Sequence, residues 1–254
     1  MTLALIAAIA ATGIAIGIAI GAVGIGGVLL VPFLTLTLGI DVKRAIAAAL
    51  LSFVPTCIVA VALYARRGSI PWREAGLLCA AALPTAYLGA RATQYAPAIL
   101  LEAAIGLLLL AGGIYALLPP RAPLTGRRRL KASVLLALGG GTGFISALTG
   151  AGGAFVLLPI LLLLDMPVLP AIGLGQAIAL PVAGLASVAN IAAGFMDLWL
   201  AAGLAVSLTV GIAIGTPIAH ALPQLLLRRL LGWAVVAAGA AMLLRMAFRL
   251  AQAA

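Results

Sequence analysis

Apolar residues run along this chain in long blocks, cut by short polar or Gly/Pro interruptions. The interruptions divide the first half into segments at about 2–22, 25–38, 45–65, 75–93 and 98–118. The second half gives about 132–149, 151–164, 171–192, 199–219 and 226–247. A helix needs roughly 20 apolar residues to cross a hydrocarbon core about 30 Å thick, rising about 1.5 Å per residue. The second segment of each half has only about 14, which suits a half-helix, a re-entrant segment or a tight crossing better than a full span. The pattern predicts an all-α integral membrane protein with eight to ten membrane segments.

The stretch 119–131 is polar, Pro-rich and basic, and it is the one clear linker. It separates a first membrane repeat, 1–118, from a second, 132–254. Sliding the chain by 126 residues superimposes Gly24, Gly26 and Gly27 on Gly150, Gly152 and Gly153. The same offset carries Ala45-Ile46 onto Ala171-Ile172 and Pro55 onto Pro181. It also carries Gly68, Gly89, Gly106 and Gly113 onto Gly194, Gly215, Gly232 and Gly239. Pro32 matches Pro159 one residue out of step. Agreement at one offset that includes a Pro and an Ala-Ile pair predicts an internal duplication.

Composition settles the solvent. Hydrophobic residues make up 65% of the chain and charged residues 8%, against roughly 45–50% and about 25% in soluble domains. A soluble fold of this size has no way to hide so much apolar surface. The net charge of +10 would suggest nucleic acid in a soluble protein, but no soluble domain exists to carry such binding. The basic residues lie between apolar blocks and read as topology signals. With the linker in the cytoplasm, ten basic residues fall inside and five outside. That count is the same for five crossings per half with inverted repeats and for four with parallel repeats, so charge leaves the choice open. Inversion would bring the two short segments together from opposite faces. The N-terminus has no basic residue before Lys43 and its apolar run is too long for a signal peptide, so it reads as a retained membrane segment.

Duplicated membrane proteins are commonly transporters, with sites at short or Gly/Pro-interrupted helices where the repeats meet. Here the short segments open on Gly24-Ile25-Gly26-Gly27 and Gly150-Ala151-Gly152-Gly153, and carry Pro32 and Pro159. Glycines let backbone N–H groups approach a ligand, and a helix N-terminus adds a positive dipole end, so both motifs suit an anion. Close helix packing through small residues is the competing use of the same glycines. Ser52 and Gln176, on the matching helices that follow, and Thr149, before the second motif, are the candidate side-chain contacts. Thr56, Thr142, Ser146, Ser187 and Asn190 read as interhelical hydrogen-bonding groups.

Glu102 is the one acid within a full-length segment and a candidate for ion coupling, although snorkelling or pairing with Arg91 competes. His220 reads as interfacial, and Asp41, Asp165 and Asp197 as caps or loop residues. Cys57 and Cys79 read as small hydrophobes. No cluster of titratable groups supports an enzyme, and no metal or cofactor is expected.

The paired Gly-x-Gly-Gly…Pro pattern, Pro55 with Pro181, and the Gly68/Gly194 and Gly89/Gly215 pairs resemble the TauE/SafE family of sulfite exporters and membrane transporters. The resemblance covers nearly the whole chain. It implies a multi-pass protein of the bacterial inner membrane with two related halves, moving sulfite, organosulfonates or other small sulfur-containing anions. One departure is the residue missing between Gly27 and Pro32 in the first copy. The expected function is secondary transport of a small anion by alternating access, with a channel or a non-transporting assembly partner as alternatives. The partners expected are that anion and the lipid bilayer, not nucleic acid, with a homodimer left open.

Overall fold

The computed structural model describes residues 3–23, 26–118, 130–221 and 224–253, and its regular elements are all helical. In chain order they are α1 (Leu3–Val23), α2 (Gly27–Thr37), α3 (Val42–Arg66), α4 (Trp72–Tyr95) and α5 (Ala98–Leu117). Then come α6 (Ala132–Thr149), α7 (Gly153–Leu163), α8 (Val168–Ala192), α9 (Leu198–Ala221) and α10 (Gln224–Ala253). Six of the described helices are long and apolar enough to cross a membrane: Val42–Arg66, Ala98–Leu117, Ala132–Thr149, Val168–Ala192, Leu198–Gly215 and Arg229–Arg249. This is the architecture of a polytopic membrane protein. α2 and α7 are far shorter, as their segment lengths foretold. The linker 119–129 and Gly24 lie outside the described residues.

Lipid supplies no hydrophobic drive to bring helices together, so close approach through small residues does that work. A Cβ on Gly139 of α6 would lie 2.3 Å from Leu78 O of α4, and one on Gly89 of α4 would lie 2.4 Å from Phe144 O of α6. Likewise α1 and α9 touch backbone to backbone, at Gly17 with Leu208 O and Gly215 with Ile18 O. In both pairs the residue numbers rise together, so the helices run parallel. α5 and α10 run antiparallel, with Gly106 against Leu243 and Gly113 against Val236. α3 and α8 are antiparallel too. Cys57 reaches Gln176, whereas Lys43, at the start of α3, stacks over Phe195, just past the end of α8. α4 lies parallel to α8, with Cys79 near Ala177 and Gln94 near Ala189.

These directions place the starts of α3, α5 and α9 on one face with the ends of α4, α6, α8 and α10. We call it the lower face; the end of α5 and the start of α6 lie at the other. Asp41 caps α3 by accepting from the N–H groups of Lys43 and Arg44 at 3.0 and 3.4 Å. Asp197 accepts from Leu200 N–H in the first turn of α9. The aspartates are thus caps and turns, with Asp165 at φ 61 between α7 and α8.

Gly139→Ala should therefore cost about 1–3 kcal/mol by forcing α4 and α6 apart. Gly141→Ala, on the same helix but with nothing within 4 Å, should be neutral or stabilising by up to about 1 kcal/mol. Thermal unfolding in detergent checks the pair; equal shifts would contradict the packing described.

Candidate functional site

The two short helices begin beside each other. Phe53 stands at the middle of the 25-residue α3. A Cβ on Gly27, at the start of α2, would lie 2.8 Å from its ring, and one on Gly152, before α7, would lie 3.6 Å from it. One aromatic ring therefore sits between the two glycine motifs. Around it is a cavity formed by Ile20 of α1, Gly27, Phe53, Thr56 and Cys57 of α3, the strap Ala151-Gly152, the first turn of α7, and Gln176 and Ala179 of α8. About 20 Å³ is open to the centres of water-sized molecules, against the roughly 10–15 Å³ that one water requires. The cavity therefore has room for a water molecule.

The strap explains why glycine is needed. Gly150 ends α6 in the left-handed region at φ 68, its N–H donating to Ser146 O at 2.9 Å. It lies against Ile46, near the start of α3, whereas Gly152 faces Phe53. Along α3 those two residues are about 10 Å apart at the usual helical rise, so the strap leads from the lower part of α3 toward the Phe53 ring at its middle. Gly152, at φ 74 and ψ 141, adopts a backbone that side-chain-bearing residues rarely take. α7 then starts at mid-depth; Phe155 N–H turns back to Gly152 O at 3.3 Å, and the N–H groups of Gly153 and Ala154 precede any intrahelical acceptor. No charged side chain lines the cavity. Helix starts carry partial positive charge; the neutral amide of Gln176 is 2% exposed, its Oε1 3.9 Å from the Cys57 thiol.

Of the candidate residues, Gly27, Gly152 and Gln176 share this cavity. Gly26 instead packs on Ala19 and Ile16 of α1, Gly150 on Val31 and Ile46, and Gly153 on Ile178 and Ala179 of α8. Ser52 and Thr149 donate within their own helices, to Ala49 O and Ile145 O at 2.7 Å each. Phe53, Thr56 and Cys57 join the site although spacing alone did not single them out. Phe53 lies one helical turn from both Thr56 and Cys57, a sign visible only once Gly27 is known to face it.

Glu102 lies away from the cavity, near the lower face. Its partner is Arg249 of α10, at 3.0 Å, and not Arg91, which instead bonds the Tyr95 hydroxyl. Register explains the difference: α10 lies along α5, whereas Arg91 lies an i to i+4 step from Tyr95 on its own helix. Glu102 is 4% exposed and its Oε2 has no partner within the protein. One turn up α10, Arg245 donates to Thr35 O at the end of α2, a favourable place for a cation.

A membrane protein of packed helices, with two short ones starting on a shared mid-depth cavity, is the class that this geometry defines. The family model of the sulfite exporter TauE/SafE matches residues 5–242, and the chain belongs to that family of membrane transporters. No curated protein and no solved structure matches it.

Two tests follow from the geometry. Gly27→Ala should collide with Phe53, and Phe53→Leu should relieve it, giving strongly non-additive stabilities. Gly152→Ala should cost about 1–3 kcal/mol through backbone strain that Phe53→Leu leaves untouched. Unfolding midpoints of the single and double variants decide; equal relief of both would refute the arrangement. At the other site, Arg249→Ala strands a buried carboxylate and should destabilise by about 1–3 kcal/mol, more than Glu102→Gln, which removes the charge and keeps an acceptor. The reverse order, measured by the same method, would contradict the pairing.

Proposed function

We propose that the protein is a secondary transporter of a small anion, an organosulfonate or sulfite, in the bacterial inner membrane. It works by alternating access between two inverted repeats, 1–118 and 132–254. The observation that carries the reading is the pair of short helices starting on one cavity at mid-depth. Their first-turn N–H groups supply hydrogen bonds and partial positive charge to an anion without a cationic side chain that would hold it too tightly to leave. Gln176 adds a side-chain donor. The cavity is narrow, and in this reading movement of the repeats widens it for a sulfite-sized solute.

Several details support duplication with inversion. α3 with α8 and α5 with α10 are antiparallel, while α1 lies along α9 as α6 lies along α4. A two-fold axis in the membrane plane exchanges these pairs. α3 and α8 end in the same way: Gly68 and Gly194 have φ 64 and 75, with Ser69 N–H donating to Tyr64 O and Phe195 N–H to Asn190 O. Each of these residues is 126 positions from its counterpart.

The misplaced Pro32 also finds a physical account. Gly27 to Pro32 is one residue shorter than Gly153 to Pro159, and the first copy opens with the 3-10 turn Gly27–Leu29. Such a turn rises about 2.0 Å per residue rather than about 1.5, so fewer residues cover the distance. After Pro32 the copy is one residue longer, and Phe33–Thr37 takes the extra residue as π-helix. Gly39 (φ 66) and Asp165 (φ 61) are then back in register. With the linker 119–131 cytoplasmic, the lower face is the outer one.

Purified protein in liposomes should move sulfite or a simple sulfonate with saturating kinetics. Gly152→Leu should abolish that flux while the protein still inserts and purifies. No flux of any such anion under any ion gradient would end this reading, and flux that never saturates would favour a channel.

A further inference from the structure

Hydroxyl groups inside these helices mostly return to their own backbone. Thr35, Ser52, Thr56, Thr93, Thr149 and Ser207 each donate to a carbonyl three or four residues earlier, the common habit of such side chains. Four polar residues do not. Thr142 and Ser146 on α6, and Ser187 and Asn190 on α8, are at most 3% exposed. The three hydroxyls and the Asn190 amide nitrogen have no partner within the protein.

The four residues are placed in order. On α8, Gln176, Ala179, Ala183, Ser187 and Asn190 recur every three or four residues, so they share one face. Its upper end, Gln176 and Ala179, is cavity wall; its lower end carries the two unpartnered groups. On α6, Thr142, Ser146 and Thr149 share a face that runs down to Gly150 and the strap. α4 joins the lower ends of both faces. Thr93 donates to Leu148 O on α6 at 3.3 Å, and Gln94 to Ala189 O on α8 at 3.0 Å. Lys43 closes the row at the lower face, its ammonium donating to Gln94 O at 2.8 Å. The positions 126 residues earlier are Ile16, Ile20, Val61 and Tyr64, so no comparable row of small polar groups leads the other way.

We infer that Thr142, Ser146, Ser187 and Asn190 line the anion's route between the mid-depth cavity and the lower face. The route is closed in this conformation and opens in the other. This inference rests on the transport reading and adds its path. Each of the four groups can donate a hydrogen bond, and no acid lies on either row, which matches an anion and disfavours a cation. Groups left unpartnered where lipid cannot relieve them gain their partner when the route fills with water and substrate.

The test uses Ser146→Cys and Ser187→Cys in membrane vesicles of both orientations, with a membrane-impermeant sulfonated thiol reagent. Labelling is read over the wild-type baseline. Both positions should react only from the lower face, and sulfite should slow the reaction severalfold. Ile16→Cys and the lipid-facing Val188→Cys should stay unlabelled. Asn190→Asp, nearly isosteric, should cut sulfite flux roughly tenfold or more, about the loss of one charge-assisted hydrogen bond, while Asn190→Gln retains it. Unreactive cysteines and full flux in Asn190→Asp, in a protein whose wild type moves sulfite, overturn the route and leave the transport reading standing. The same result would follow if these groups hold only internal water. A wild type that moves no anion overturns both.

Discussion

A helix that starts in the middle of a bilayer leaves its first N–H groups with no water to meet them, and in hydrocarbon each such group costs several kcal/mol. Such a break survives only where protein or a polar cavity surrounds it. Much of this structure can be read as the surroundings of two such breaks. α3 and α8 run beside them through the centre, and the long buried stretches Ala45–Leu50 and Ala171–Ala179 keep lipid away. Phe53 fills the space between the helix starts. The outer helices seal the assembly through glycine contacts too close for any side chain, at Gly89 and Gly139 on one side and Gly17 and Gly215 on the other.

The glycines thus divide between two jobs that composition cannot separate. Gly139, Gly211 and Gly239 let helices touch. Gly152 gives the chain a conformation that lifts it to mid-depth, and Gly27 makes room for a ring. Gly26, Gly150 and Gly153 belong to the same motifs yet spend their missing side chain on packing. A motif that looks uniform in sequence is mixed in function, because its residues point in different directions once the helix starts.

The helices were legible in the sequence because lipid demands long apolar runs. Their starts were displaced by three residues at most, as at Val42, Trp72 and Val168 against expected starts of about 45, 75 and 171. The short segments were legible for the same reason, and of the candidate residues Gly27, Gly152 and Gln176 line one cavity. Three things were not legible. The direction of helix pairing was hidden, since the basic residues divide ten to five under either topology; only contacts such as Gly106 with Leu243 reveal it. Phe53 was hidden because an apolar residue in an apolar helix carries no sign of what it faces. The partner of Glu102 was hidden because Arg249 lies 147 residues away, and nothing local distinguishes it from Arg91.

The central claim is that the anion binds at mid-depth, between the starts of α2 and α7. Selenite is the heavier congener of sulfite and scatters anomalously at the selenium edge. A structure of the protein with selenite should place the anomalous peak beside Gly27, Gly152 and Gln176, within hydrogen-bonding reach of the first-turn N–H groups. A peak at the arginines of α10 near Glu102, with none in the Phe53 cavity, would contradict the account.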